Sequence, residues 1–148
     1  MLENKHEYYM SMAYKLAKQA FDEGEIPVGA IIVCNDKIIG KGYNQTERLT
    51  DVTAHAEMLA ITAAQNYLGA KFLGDCTMYV SLEPCVMCAG AIFWARPSFL
   101  VIGADDEKRG FIKTNPNILH PKTEMTKGIL AEECGQLMKD FFLKLRNN

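Results

Sequence analysis

Residues 77–88, Thr77-Met78-Tyr79-Val80-Ser81-Leu82-Glu83-Pro84-Cys85-Val86-Met87-Cys88, change character abruptly at Glu83. Thr77 to Leu82 reads as a buried strand, a short apolar run carrying aromatic and β-branched side chains. Pro84 suits the first turn of a helix, where its missing N–H leaves no helical bond unmade. That helix is expected from about Cys85 to Trp94, with Pro97 ending it and Phe99 to Gly103 forming the next strand.

Working outward, Met10, Ala13, Leu16, Ala17, Ala20 and Phe21 recur at helical spacing before Gly24, which predicts an amphipathic first helix. Val28 to Cys34 and Lys37 to Tyr43 flank the turn-prone pair Asn35-Asp36 and read as an antiparallel hairpin. A helix is expected over Ala54 to Gln65, with Met58, Leu59 and Ile61 as its apolar positions. Thr123 to Thr126 predicts a short fifth strand. After Gly128, Leu130, Cys134, Leu137, Met138, Phe141 and Leu145 form the stripe of a last helix. A hairpin followed by alternating helices and strands predicts a sheet of mixed strand direction between helix layers. No repeat or linker-like stretch interrupts the chain, so residues 1–148 read as a single domain.

Composition narrows the function classes. The 148 residues suffice for a core without disulfide staples, and no apolar run approaches the roughly 20 residues of a membrane span. The first residues lack the layout of a signal peptide, and two of the five cysteines form a Cys-x-x-Cys pair. Metal or redox chemistry in the cytoplasm is therefore expected rather than a disulfide framework. A net charge of −2 argues against broad non-specific nucleic-acid binding, while leaving room for a local basic patch.

Thr53-Ala54-His55-Ala56-Glu57 and Glu83 to Cys88 together carry the chemistry. His55, Cys85 and Cys88 offer one imidazole and two thiolates, a catalytic zinc set that leaves a fourth position for water. If both segments open helices, Cys85 and Cys88 lie one turn apart, and the positive helix ends favour thiolate. Glu57 would leave a regular helix about 200° from His55. It therefore reads as a proton carrier to the zinc-activated water rather than a fourth ligand. The competing readings are buried core residues, or a structural zinc site closed by Cys76.

These motifs resemble the cytidine deaminase superfamily, whose His-x-Glu and Pro-Cys-x-x-Cys signature is known for nucleobase deaminases. Glu25 to Ala30, Gly42-Tyr43-Asn44, Thr53 to Glu57, Glu83 to Ala91 and Gly128 to Cys134 look like the bacterial tRNA-specific adenosine deaminases. The likeness runs from about His6 to Leu145. It implies a three-layer α/β/α cytidine deaminase-like fold with a mixed five-stranded sheet. It also implies one zinc ion on His55, Cys85 and Cys88, with Glu57 as proton shuttle. Asn44 would hydrogen-bond the flipped nucleoside, and Val28 and Ala30 would build the base pocket. The implied reaction is conversion of the wobble adenosine of a tRNA anticodon loop to inosine by a homodimer.

Ile92-Phe93-Trp94-Ala95-Arg96-Pro97-Ser98 is also similar to guanine deaminases of the same superfamily. A deaminase of free guanine or cytosine is therefore the alternative substrate reading, and a non-catalytic zinc-stabilised RNA-binding module a third. Lys108, Arg109 and Lys113, interleaved with Phe111, read either as an RNA contact or as a solvated loop with one anchoring aromatic. His6 and His120 have no partner spacing of their own, and the resemblance leaves a place at the active-site mouth open to His120. Phe93 and Trp94 read as core or dimer contacts. Cys34, Cys76 and Cys134 read as small buried hydrophobes.

Overall fold

The computed structural model describes residues 2–147. Five strands form one sheet in the order β2-β1-β3-β4-β5. β1 (Gly29–Cys34) and β2 (Lys37–Tyr43) are the hairpin. Asn35 and Asp36 between them both have positive φ, 51° and 60°, the backbone of the turn type whose twist matches a two-residue hairpin. β3 (Cys76–Leu82) pairs antiparallel with β1, whereas β4 (Phe99–Ala104) and β5 (Glu124–Lys127) continue parallel to it. The sheet is mixed and five-stranded, as the sequence predicts.

Alternation along the strands divides the core in two. Ala30, Ile32, Met78, Val80, Leu100 and Ile102 face one side, beneath α2 (Ala56–Leu68) and α3 (Val86–Ala95). Ile31, Val33, Tyr79 and Val101 face the other, beneath α1 (Leu2–Asp22). α5 (Ala131–Arg146) lies beside α1, where Phe21 and Phe141 meet edge to face at 5.8 Å. Three layers result.

The helix boundaries differ from the sequence expectation in ways that matter for the site. The second helix begins at Ala56 rather than Ala54, because His55 is extended (φ −75°, ψ 154°) and acts as its N-cap residue. Asp51 shapes this entry, its Oδ1 accepting the Thr53 N–H at 2.8 Å. The packed face of this helix is Ala56, Ala60, Ile61 and Ala64, while Met58 and Leu59 are only half-buried. The reason is close approach to β2: a Cβ on Gly42 would collide with the Ala56 carbonyl, and one on Gly40 with that of Ala60. Small residues are selected where a helix backbone rests on a strand backbone.

The third helix likewise begins one residue late, with Cys85 as its N-cap residue and Pro84 before it rather than in its first turn. A short helix, α4 (Phe111–Thr114), lies where no element was expected. β5 starts at Glu124, one residue later than read. Leu145 is 55% exposed, so the core stripe of the last helix ends at Phe141.

Candidate active site

The topology gathers one end of the sheet into a cavity. β1 runs antiparallel to β3, so the chain before β1, the chain after β2 and the chain after β3 emerge together. A cavity of about 730 Å³ opens there, lined by Val28, Asn44, Thr46, His55, Glu57 and Cys85, among others. Ligand sites at the carboxyl ends of strands are the general rule for α/β sheets.

His55 and Cys85 both occupy N-cap positions, and neither uses its side chain to cap its own helix. Both side chains are thereby released toward each other. His55 Nδ1 lies 3.7 Å from Cys85 Sγ and 3.5 Å from Cys88 Sγ. A tetrahedral ion with Zn–N near 2.0 Å and Zn–S near 2.3 Å would hold such atoms about 3.5 Å apart. The donor set and its spacing thus fit zinc, and these three residues form the one such group among the described residues. Cys76 lies at the far end of β3, so the structural site with a fourth thiolate has no support.

The local electrostatics favour thiolate on Cys85. A hydrogen bond from Cys88 and the adjacent His55 hold Cys85 down at about 4 against the opposing effect of burial. In turn, the Cys85 thiolate first, and burial second, push the Cys88 thiol far above its ordinary range. The separate hydrogen bond between His55 and Cys85 raises the His55 imidazole. Glu57, one residue inside α2 and 4% exposed, has its carboxyl pushed up to about 7 by burial. A carboxyl poised near neutrality beside a metal-ligating cluster is the property a proton carrier needs.

Two buried carboxylates hold the loops on either side of the cavity. Glu25, 2% exposed, accepts the N–H groups of Glu47 (3.1 Å) and Arg48 (2.8 Å) and so fixes the loop after β2. Glu83, 7% exposed, accepts those of Asp106 (3.2 Å) and Ile112 (3.0 Å) and fixes the loop after β4. Gly110 is required beside it, because a Cβ there would strike the Glu83 carboxylate. In that second loop, Asp106 Oδ1 accepts the N–H groups of Lys108 and Arg109, each at 3.1 Å, which turns both residues onto the cavity lining.

The structure brings most, though not all, of the sequence candidates to this cavity. Val28 and Asn44 line it, and Asn44 is held by its N–H donating to the Val28 carbonyl at 3.1 Å. Ala30 does not line it; it is fully buried in the sheet under α2, one pleat behind Val28. His120 is also elsewhere, its ring tilted at 43° and 5.7 Å from that of Phe93, in a hollow with Phe72, Arg96 and Lys122. Phe111 is fully buried, which leaves it as the loop's anchor and removes it as a stacking platform. Trp94 is 67% exposed, so it is no core residue.

Met138, Lys139, Phe142, Leu145 and Arg146 of α5 line the outer part of the cavity; in sequence Lys139 and Arg146 read equally as cations suited to the negative C-terminal end of the last helix, and Phe142 has no role there. Phe142 follows the inward Phe141 by one residue, so a stripe count passes over it. The resemblance assigns no role to Glu25 or Glu83; an acid set beside an apolar run is the sequence signal that marks both.

Comparison with known proteins agrees with this geometry. Residues 3–104 match the family described as the cytidine and deoxycytidylate deaminase zinc-binding region. The tRNA-specific adenosine deaminase of Aquifex aeolicus is 44% identical over 146 residues, covering 96% of this chain and 97% of that protein. A structure from work on A-to-I editing by tRNA:A34 deaminases superposes with a TM-score of 0.82 at 35% identity, over 88% of this chain and 98% of that one. A guanine deaminase from Bacillus subtilis is 45% identical over 68% of this chain and 64% of that one, with a TM-score of 0.65. The cavity and its His-Cys-Cys cluster are those of a zinc-dependent hydrolytic deaminase, and the chain belongs to the tRNA-specific adenosine deaminase family within the cytidine and deoxycytidylate deaminase superfamily.

Proposed function

We propose that this enzyme converts the wobble adenosine of a tRNA anticodon to inosine, with His55, Cys85 and Cys88 as zinc ligands and Glu57 as proton shuttle. Zinc, when bound, supplies the Lewis acidity that brings a coordinated water to a pKa of about 7. Glu57 takes the proton of the attacking water and hands it to the departing amine. A C–O bond forms at C6 of the adenine, the C–N bond breaks, ammonia leaves, and Glu57 returns to its starting state. Asn44 orients the nucleoside by hydrogen bonding and Val28 forms one wall of the base pocket. Ala30 shapes that wall from behind.

The observation that carries the tRNA reading is the cavity's outer wall. Its volume of about 730 Å³ exceeds the need of a single base. Lys108, Arg109, Lys139 and Arg146 line it together with Phe142, cations and an aromatic suited to flanking phosphates and a neighbouring base. A net charge of −2 is compatible with this, because four of the sixteen Lys and Arg residues line this one opening.

The homodimer is supported by α3. Its sequence is wholly apolar, yet Val86, Met87 and Trp94 are 43%, 36% and 67% exposed. An apolar face of this kind suits a second copy of the chain. Among the described residues, no helix is long and apolar enough to cross a membrane. Action in the cytoplasm is proposed on the nature of the substrate and on five cysteines that are all free thiols.

The discriminating experiment compares inosine formation in an anticodon stem-loop with ammonia release from guanine, cytosine and their nucleosides. Inosine formation in the stem-loop, with little release from free bases, is expected. Turnover of guanine alone would replace this reading with the guanine deaminase reading, which the Bacillus subtilis likeness favours.

A further inference from the structure

At the end of the sheet opposite the cavity, β1 finishes at Cys34 and β3 begins at Cys76, and the two are direct partners in the antiparallel ladder. Residues opposed in this way have Cα atoms about 4.5–5.5 Å apart, inside the window of about 4.4–6.8 Å that a disulfide spans. Both side chains lie on the α2–α3 face, Cys76 within the core and Cys34 packed at its edge. Neither belongs to the metal-ligating group. Their environments differ in kind. Cys76 is 1% exposed, and burial first, then the adjoining Cys34 thiol, push it up to about 12. Cys34 is half-buried and keeps access to solvent. An outside disulfide can therefore reach Cys34 and not Cys76, while the ladder holds Cys76 directly beside the Cys34 sulfur.

We propose that Cys34 and Cys76 form a reversible intramolecular disulfide by exchange with a low-molecular-weight disulfide, a modification site separate from the metal centre. The Cys34 thiolate attacks one sulfur of the disulfide RSSR, forming a Cys34–SR bond and releasing RS⁻. Cys76 then gives up its proton to solvent, attacks the Cys34 sulfur and releases the second RS⁻. The two protein thiols lose two electrons and two protons, and RSSR gains them as two RSH. The new bond closes a segment that contains β2, the loop after it and α2, including His55 and Glu57. Closing such a segment restricts the unfolded chain and raises resistance to unfolding.

The test uses the reduced, zinc-loaded full chain treated with oxidised glutathione and then digested without reduction for mass spectrometry. The expected result is a Cys34–Cys76 linked peptide with zinc retained, a melting temperature raised by several degrees, and reversal by dithiothreitol. Cys34→Ser should give no linked peptide. Cys76→Ala should stop at a glutathione adduct on Cys34, which reads out the first step even if this buried substitution lowers stability. In the unsubstituted protein, a lasting adduct on Cys34, a bridge between two chains, a Cys85–Cys88 bridge with loss of zinc, or unreacted thiols would each overturn the proposal. So would the lack of an adduct in folded Cys76→Ala.

Discussion

His55 and Cys85 hold equivalent places in two different helices: each is the N-cap residue, extended in backbone, and His55 Nδ1 meets Cys85 Sγ at 3.7 Å. Two helix openings thus converge on one point, and Cys88, one turn into α3, completes the cluster at 3.5 Å from the same nitrogen. Because both N-cap side chains are withheld from capping, the local stability that a Ser or Asp cap gives, typically about 1 kcal/mol, is forgone at both helices. His55, Cys85 and Cys88 would tie the two helix ends together when holding zinc.

The ligand assignment makes Cys88→Ala diagnostic. The thiol is fully buried and faces the imidazole, so its loss leaves only two ligands. Metal analysis of the purified variant should show zinc well below stoichiometry and no deaminase activity. Stoichiometric zinc in that variant would contradict the ligand set.

The backbone contact between β2 and α2 predicts a strong asymmetry between two glycines. Gly42→Ala drives a Cβ into the Ala56 carbonyl and Ala60 N–H, displacing the helix that carries Glu57; a loss of about 1–3 kcal/mol is expected. Gly135→Ala, in the interior of α5, meets only the Ala104 methyl at 3.7 Å and should gain up to about 1 kcal/mol from helix propensity. Urea denaturation of the two variants measures both, and equal effects would refute the close-approach argument.

Glu83 is expected to act through the loop it holds. Glu83→Ala leaves the Asp106 and Ile112 N–H groups without their acceptor, which costs about 1–3 kcal/mol. It also frees the segment bearing Lys108 and Arg109. KM for the stem-loop should rise by more than kcat falls, with zinc retained. A fall in kcat alone would place Glu83 in the chemistry instead.

Much of this arrangement was legible in the sequence, and the shortfall has a common cause. Asn35-Asp36 announced the hairpin, and the alternation of apolar runs with turn residues gave all five strands and the mixed sheet. His55, Cys85, Cys88 and Glu57 stand out through their residue types and the deaminase signature they resemble, and the structure brings His55, Cys85 and Cys88 together although both helices begin later than periodicity suggests. N-cap residues lie outside the helical backbone, and hydrophobic pattern does not register that boundary. The packed face of α2 was misjudged because contact with Gly40 and Gly42 selects alanine over the larger Met58 and Leu59. The α5 wall of the cavity and the holding role of Glu25 depend on residues far apart in the chain, which no local pattern encodes. The resemblance left a place at the mouth open to His120, and the β4–β5 connection carries it to Phe93 instead.

The exposed apolar face of α3 predicts an interface. Trp94→Glu sets a charge where a partner's apolar surface would lie, so sedimentation velocity should show a shift from dimer toward monomer, with the fold intact by circular dichroism. A species of unchanged size would contradict the proposed interface on α3.

The most direct test of the central claim is Glu57→Ala, with zinc content and stem-loop deamination measured on the same preparation. Glu57 moves protons in this account and holds no metal. Zinc should therefore remain at one per chain while turnover falls by about 10²–10⁴ or more. Near-normal turnover, or loss of the metal with the carboxylate, would contradict it.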